Sequence, residues 1–513
     1  MLKRFIVKPL LFISLILALL AASVPIQAAS INVPNHWAAD VMKRWSDRGW
    51  LTAQDVKSID NPTTRAEWIH WMNQAFQFTD GPSTKFKDVK PSTKLAYETA
   101  AAVAAAYIEG YPDNTFKPQQ KVTRQEAAVI MTRLFGLRTD LMPTGYKDTA
   151  TMGAWSKGAI AAVTEQGLLS GNNGKFNPKA PITKAEAISF IDRALTKNTI
   201  EYKRSGTYGS DKKRNLVPSD VTLLAADTVV QNINFREDLI IDAAVLNGSI
   251  TLRNVTVKGT LIVKGGGLGR IQLIDSEIAK MTINKKTNDA GVSLKGTTRV
   301  GTVKIESGGS IETASSSKIN AVSIASTMSP AVPVRLSGLF TSVNVDTPNR
   351  IVQLTNSKID LLHVAKSGSN ANISLGSTGS ITDLVAGGSL ELTGSGKLQS
   401  AIINTSNVRL NQSPLFVTAG AELPPNATLL IAGKETNPAA YSLAQPPIVM
   451  GVAESINYGE SMSIASSKNG MLYVVPLDTP LNLNDILIDG SYIEPIDALV
   501  PYTLDASSFT EKK

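Results

Sequence analysis

The chain has 513 residues, with 51 Lys and Arg against 43 Asp and Glu, a formal charge of +8 and no cysteine. That length exceeds what a single core fills, so several domains are expected, and the missing cysteines exclude a disulfide framework and thiolate metal sites. The mild positive charge fits an anionic partner without selecting one. At the N-terminus, Lys3, Arg4 and Lys8 precede an apolar run from Leu10 to Ala22, with small residues at Ala28 and Ala29. This pattern predicts a secretory signal peptide over 1–28. The run falls short of the ~20 apolar residues that a bilayer span needs, and no later segment is apolar enough to serve. An exported chain is not expected to meet nucleic acid.

Further on, a tetrapeptide returns at about 60-residue intervals: Thr64-Arg65-Ala66-Glu67, Thr123-Arg124-Gln125-Glu126 and Thr183-Lys184-Ala185-Glu186. Each Thr-x-x-Glu opens an apolar run and reads as a capping box, pairing Thr64 with Glu67, Thr123 with Glu126 and Thr183 with Glu186. Two, five and nine residues after each Glu stand Ile69, Met72 and Phe76, then Ala128, Met131 and Phe135, then Ile188, Ile191 and Leu195. That spacing marks one helix face. Upstream helices are expected over 37–48, 94–109 and 154–166, with Gly49 and Gly167 as stops. The cation inside each box opposes the helix macrodipole, at a cost of a few tenths of a kcal/mol. A cost repeated three times points to a role, and a cation beside free helix-start amides makes an anion site of Arg65, Arg124 and Lys184.

Residues 31 to about 197 resemble a tandem of three S-layer homology domains. The resemblance rests on the starts Phe86-Lys87-Asp88-Val89 and Tyr146-Lys147-Asp148, the aromatics Trp37, Tyr97 and Trp155, the Gly-turn-Phe-x-Pro loops of 110–118 and 171–178, and the three tetrapeptides. It implies an all-α pseudo-threefold bundle of repeats over 29–82, 83–142 and 143–200. It also implies attachment at the cell wall by binding secondary cell-wall polysaccharide, often pyruvylated, in grooves between repeats. Arg65, Arg124 and Lys184 would then contact polymer carboxylate, with Asp88 and Asp148 in the binding set. Trp37, Tyr97 and Trp155 would stack on sugar, although aromatics at a helix start more often belong to a core. Self-association in a surface layer is a further partner that the resemblance allows. The first repeat departs from the pattern: it starts Ile31-Asn32-Val33 and its loop over 50–62 lacks the Gly-turn-Phe-x-Pro sequence. Ala106 stands where a glycine belongs, and Lys184 lacks the planar fork of Arg.

Residues 201–220 carry Lys203, Arg204, Lys212, Lys213 and Arg214 among Gly, Ser and Asp and read as a basic linker. From 221 to 424 short β-branched triplets alternate with Gly, Ser, Thr and Asn. Val257, Ile278, Val300, Ile319, Phe340, Ile359, Ile381 and Leu398 recur about 20 residues apart. This period predicts a right-handed parallel β-helix rather than a sandwich, which requires no such period. One residue before the landmarks stand Arg299, Lys318, Lys358 and Lys397, either a solvated column or a track for an anionic glycan. No clustered acids of the kind a polysaccharide lyase or hydrolase needs are visible, so a binding or display role is expected, with a wall-anchored lyase or hydrolase as the alternative. His363, between Leu362 and Val364, should point outward. With His36 and His70 in the first repeat, no metal site or cofactor is expected. Residues 425–513 read as a small all-β module or cap, with strands over 471–476, 485–488 and 499–504. The whole is thus expected to be multidomain: an all-α three-repeat bundle, a β-helix and a small β module.

Overall fold

The computed structural model describes residues 35–436 apart from 144, 198, 287, 288, 326–331, 415 and 428, and strands at 449–450, 461–466, 470–474, 492–496 and 502–505. The signal-peptide segment 1–28, the Ile31-Asn32-Val33 start and the strand expected over 485–488 lie outside these residues. Two compact units form. The first holds residues up to 102 with 110–127 and 176–196, and the second holds 103–109, 128–175 and the chain from 197 on.

In the first unit, helices Ala39–Asp47, Arg65–Phe76 and Lys184–Thr196 enclose a core of Trp45, Trp68, Ile69, Met72, Phe190 and Ile191. The indole of Trp45 donates to Asp192 Oδ1 at 2.8 Å, and the other carboxylate oxygen takes Arg44 at 2.6 Å. A buried acid is tolerable here because both its oxygens are satisfied. Short helix Ala53–Lys57, capped by Thr52 and Asp55, occupies the loop of the first repeat that departs from the Gly-turn-Phe-x-Pro pattern.

The second unit contains helix Lys157–Glu165 and a β-solenoid of about 11 turns over 200–431. Three strand tracks build it. One begins with Ile200–Tyr202, Val221–Leu223 and Leu239–Ile241, a second with Gly206–Tyr208, Thr228–Gln231 and Ile250–Arg253, and a third with Asn215–Val217 and Ile233–Phe235. Later strands such as Thr256–Val263 and Glu277–Ile283 turn the corner between the third track and the first without a break. The landmarks stack in register: Val257 over Ile278, Val300 and Ile319, then Phe340 over Ile359, Ile381 and Leu398. All are buried, so each coil seals the apolar layer of its neighbour. Asn232, Asn254, Asp275 and Gly296 make one corner with φ of 53°, 50°, 49° and 59°, a conformation that Asn, Asp and Gly adopt at least cost.

Four expectations need correction. Residues 201–220 are no linker but the first coil, because their charges find partners: Arg204 meets Glu165 at 2.8 Å, Lys213 meets Glu109 at 2.8 Å and Arg214 donates to Thr256 at 2.7 Å. Tyr202 is fully buried, stacks on Tyr208 with ring centroids 3.9 Å apart, and donates to the Phe135 carbonyl at 2.7 Å. The solenoid accordingly starts at 200 and shares a unit with part of the helical region. The helix expected over 94–109 ends at Ala104, where Ala106 enters the left-handed region at φ 60°. His363 points outward in register but is buried, at 7% exposure. Its outward neighbours Leu361, Val385 and Ile402 are buried as well, so this stretch of the face is covered. Past 431 the pairing becomes antiparallel, Leu429–Ile431 with Lys434–Thr436, Ser461–Ser466 with Tyr502–Asp505, and Gly470–Val474 with Tyr492–Ile496. Among the described residues no helix is long and apolar enough to cross a membrane.

Candidate functional site

The three tetrapeptides meet around a ring of backbone hydrogen bonds in the first unit. Thr63 N–H donates to Ile182 O at 2.9 Å, Ile182 N–H to Val122 O at 2.8 Å, and Val122 N–H to Thr63 O at 2.9 Å. Each peptide segment therefore holds the next, and three sequence-distant segments close one ring. The capping boxes form as expected: Glu67, Glu126 and Glu186 accept from the amides of Thr64, Thr123 and Thr183 at 2.8, 2.8 and 3.0 Å.

The helix-start amides, however, are not free. Arg65 and Ala66 donate to the carbonyls of Gln120 and Pro118, Arg124 and Gln125 to those of Ala180 and Pro178, and Lys184 and Ala185 to those of Asn61 and Ile59, all at 2.9–3.0 Å. Glu67, Glu126 and Glu186 donate theirs to the capping threonines. The loop of the neighbouring copy thus uses the donors that an anion would need, which removes the amide half of the expected anion corner. The first-repeat loop supplies its two carbonyls despite its divergent sequence.

The cations also face inward. Arg65, Arg124 and Lys184 are each 7% exposed. Arg65 Nε donates to Phe116 O at 2.9 Å with its guanidinium 4.7 Å from that ring's centroid, and Arg124 Nε donates to Phe176 O at 2.8 Å, 5.1 Å from that ring. Arg124 Nη1 also meets Glu186 Oε1 at 2.6 Å, and Lys184 Nζ meets Glu67 Oε1 at 2.7 Å and Asp55 at 3.6 Å. Glu67 and Glu186 each use one oxygen for their own helix cap and the other for the cation of the preceding copy. Burial pushes the Glu67 carboxyl up, yet the hydrogen bonds from Lys184 and Thr64 outweigh it and hold it below its ordinary range. The cost of a cation at a helix start is offset by this brace.

Asp88 accepts from the Phe116 and Lys117 amides at 2.8 and 2.7 Å and so shapes the loop beneath Arg65. Burial would raise its carboxyl, and those two bonds lower it instead. The Asp148 carbonyl accepts from the amide and hydroxyl of Thr151. The starts and loops belong together for a steric reason. A Cβ at Gly110 would lie 2.1 Å from the Phe86 ring, and one at Gly171 would lie 2.7 Å from the Tyr146 ring. The divergent first repeat lacks the loop glycine and the aromatic start alike.

Trp37, Tyr97 and Trp155 are exposed by 65, 66 and 58%. The core role that helix-start aromatics usually take is therefore not theirs. In the solenoid, the expected basic column exists in register: Glu277 beside Arg299 and Lys318, then Leu339 beside Lys358, Ser380 and Lys397. A cleft of about 410 Å³ opens along it, lined by Arg299, Lys318, Lys358 and Asp360. Sequence reasoning passed over the exposed Asp360 and the partly buried Asp383, whose charge acts on Asp360. Burial raises both, although Lys318 tempers Asp360 and the Ser400 hydroxyl tempers Asp383. The register sets Asp383 beside Leu361, one residue on from Asp360, so the landmarks alone do not pair the two acids.

The S-layer homology domain family matches residues 85–128 and 145–188, spans that include the second and third tetrapeptides. An amylopullulanase of Thermoanaerobacterium thermosulfurigenes is 28% identical over 176 residues, which is 33% of this chain and 9% of that protein. The surface-layer 125 kDa protein of Lysinibacillus sphaericus is 27% identical over 186 residues, 34% of this chain and 16% of its own. A cellulosome-anchoring protein of Acetivibrio thermocellus is 34% identical over 123 residues, 23% of this chain and 27% of its own. The chain thus spans less than a third of the length of these relatives.

Proposed function

We propose that this chain, a secreted bacterial surface protein carrying S-layer homology domains, holds secondary cell-wall polysaccharide non-covalently through three such repeats and presents its β-solenoid at the cell surface. The observation that carries this reading is a set of exposed aromatics at the starts of the upstream helices: Trp37 and Trp155, each two residues before its helix, and Tyr97 in the first turn of the helix between them in sequence. Exposed tryptophan and tyrosine forgo a large burial gain, and the apolar face of a sugar ring is a partner that restores it. Residues 29–82 count as a degenerate third copy in this reading, supported by the hydrogen bonds that their tetrapeptide and loop share with the other two. Arg65, Arg124 and Lys184 then act by holding the loops and neighbouring copies in place. The antiparallel strands past 431 support a small β module after the solenoid.

The test is sedimentation of the full chain with cell-wall sacculi, before and after chemical removal of their secondary polysaccharide. Wild type and a Trp37→Ala, Tyr97→Ala, Trp155→Ala variant are compared, since exposed positions leave the fold intact. Binding is expected to disappear with the polymer and with the triple variant. Binding that survives both rules the reading out.

A second reading, a wall-anchored polysaccharide lyase or hydrolase, draws on Asp360, which lines the basic cleft, and on Asp383, whose charge reaches it. Sugar release from acidic polysaccharides by wild type but not by Asp383→Asn would put it first. No release across such a panel leaves the display role ahead.

A further inference from the structure

The second unit contains a cleft of about 870 Å³ whose wall is shared by residues 129–140, Trp155 and Ala159 on the helical side and by 206–215 and Gln231 on the solenoid side. This volume falls within the range of about 300–1,000 Å³ typical of ligand sites. We propose that it is a binding site for an uncharged sugar unit, completed by the first solenoid coil. The inference rests on the wall-anchoring reading only in taking that sugar from the wall polymer.

Three observations combine. First, Trp155 stays 58% exposed while lining a concave surface, which offers an aromatic face of the kind that packs against a sugar's C–H face. Second, Asn215 is buried, donates its Nδ2 to the Arg133 carbonyl at 2.8 Å, and has no hydrogen-bond partner for its Oδ1 among the described residues. A buried acceptor without a donor is a cost that a ligand hydroxyl would remove after a small adjustment of the amide. Third, the charges lining the cleft balance. Arg133 and Arg138 stand against Asp140 and Asp211, and Arg138 is already paired with Asp140 through both its Nε and Nη2. A polyanion finds no excess of cations here, whereas planar guanidinium, carboxylate and amide groups suit the hydroxyls of a neutral ring. Gly206, at φ 118°, makes room for this arrangement, since a Cβ there would come within 2.5 Å of the Arg138 guanidinium.

The test presents the full chain to an array of neutral hexose and N-acetylhexosamine oligosaccharides beside uronate oligosaccharides. Wild type is compared with Trp155→Ala and with Thr207→Arg, an exposed position on the solenoid wall, and thermal melts confirm that both variants fold. The expected result is binding to at least one neutral glycan, weakened at least tenfold by each substitution. Loss with Trp155→Ala but not with Thr207→Arg would overturn the inference, because the solenoid would then contribute nothing. Binding of uronate glycans alone, or of no glycan while sacculi still sediment with the chain, would also overturn it and leave the wall-anchoring reading standing. Neutral-glycan binding lost in both variants, in a chain that no longer sediments with sacculi, would support the cleft and sink the anchoring reading instead.

Discussion

Charged residues return at the repeat interval in both the helical repeats and the solenoid, yet the helical repeats bury theirs and the solenoid leaves its own at the surface. Copies related by rotation close on themselves, so the cation of one meets the glutamate of the next, as Arg124 meets Glu186 and Lys184 meets Glu67. Copies related by translation set like over like, about 4.8 Å apart, and a cation then meets a cation, as Arg299 does at Lys318. Neutral residues dilute the column elsewhere: Leu339 and Ser380 flank Lys358. Repeat symmetry therefore decides whether a periodic charge becomes a brace or a solvated row.

Breaking one brace tests this most severely. Glu67→Ala strips Lys184 of its closest carboxylate and Thr64 of its cap at once, and a loss of about 3 to 4 kcal/mol is expected in denaturant unfolding. A change below about 1 kcal/mol would mean that the buried cation finds water instead.

The next effect concerns the covered face of the solenoid. Burial lowers His363 from 6.5 to about 4, against a weak opposing pull from Asp346. Between those values the unfolded chain takes up a proton that the folded chain refuses. The contribution is therefore intact above 6.5 and is lost as pH falls toward 4, a difference on the order of 3 kcal/mol. His363→Leu should flatten that part of the stability profile, as read by melts at pH 7, 5.5 and 4.

Smaller again is the gain expected at Ala106, which takes the left-handed place held by Gly49 and Gly167 in the other copies. Ala106→Gly should stabilise by up to about 1 kcal/mol, with relief of the Cβ strain partly opposed by greater freedom of the unfolded chain. Smallest of all, replacing Arg299, Lys318, Lys358 and Lys397 by Gln one at a time should shift stability by no more than about 0.5 kcal/mol each. Retention on an anionic glycan column that falls in the quadruple variant would assign the row a ligand, and unchanged retention would leave it a solvated edge.

Much of this was legible in the sequence because it depends on local periodicity. The three capping boxes, the helix faces led by Ile69, Met72 and Met131, and the stacked landmarks from Val257 to Leu398 all follow from spacing alone. The first coil was hidden by its charges. Lys213 and Arg204 resemble those of a tether until Glu109 and Glu165, far upstream, are placed against them. The burial of His363 was hidden by strict alternation, although apolar residues at the outward positions Leu361, Val385 and Ile402 were the available sign of a covered face.

The sequence by itself determined what repeats and with what period, because capping chemistry and side-chain alternation act within a few residues of each other. Only the tertiary structure decided what each repeated residue does. Whether Arg65, Arg124 and Lys184 offer their charge to a ligand or to a neighbouring copy depends on which carbonyl and which carboxylate lie across the ring from them. Those partners stand about 50 to 120 residues away along the chain, beyond the reach of any local pattern, and the amides that would have made the anion site were taken by the same long-range closure.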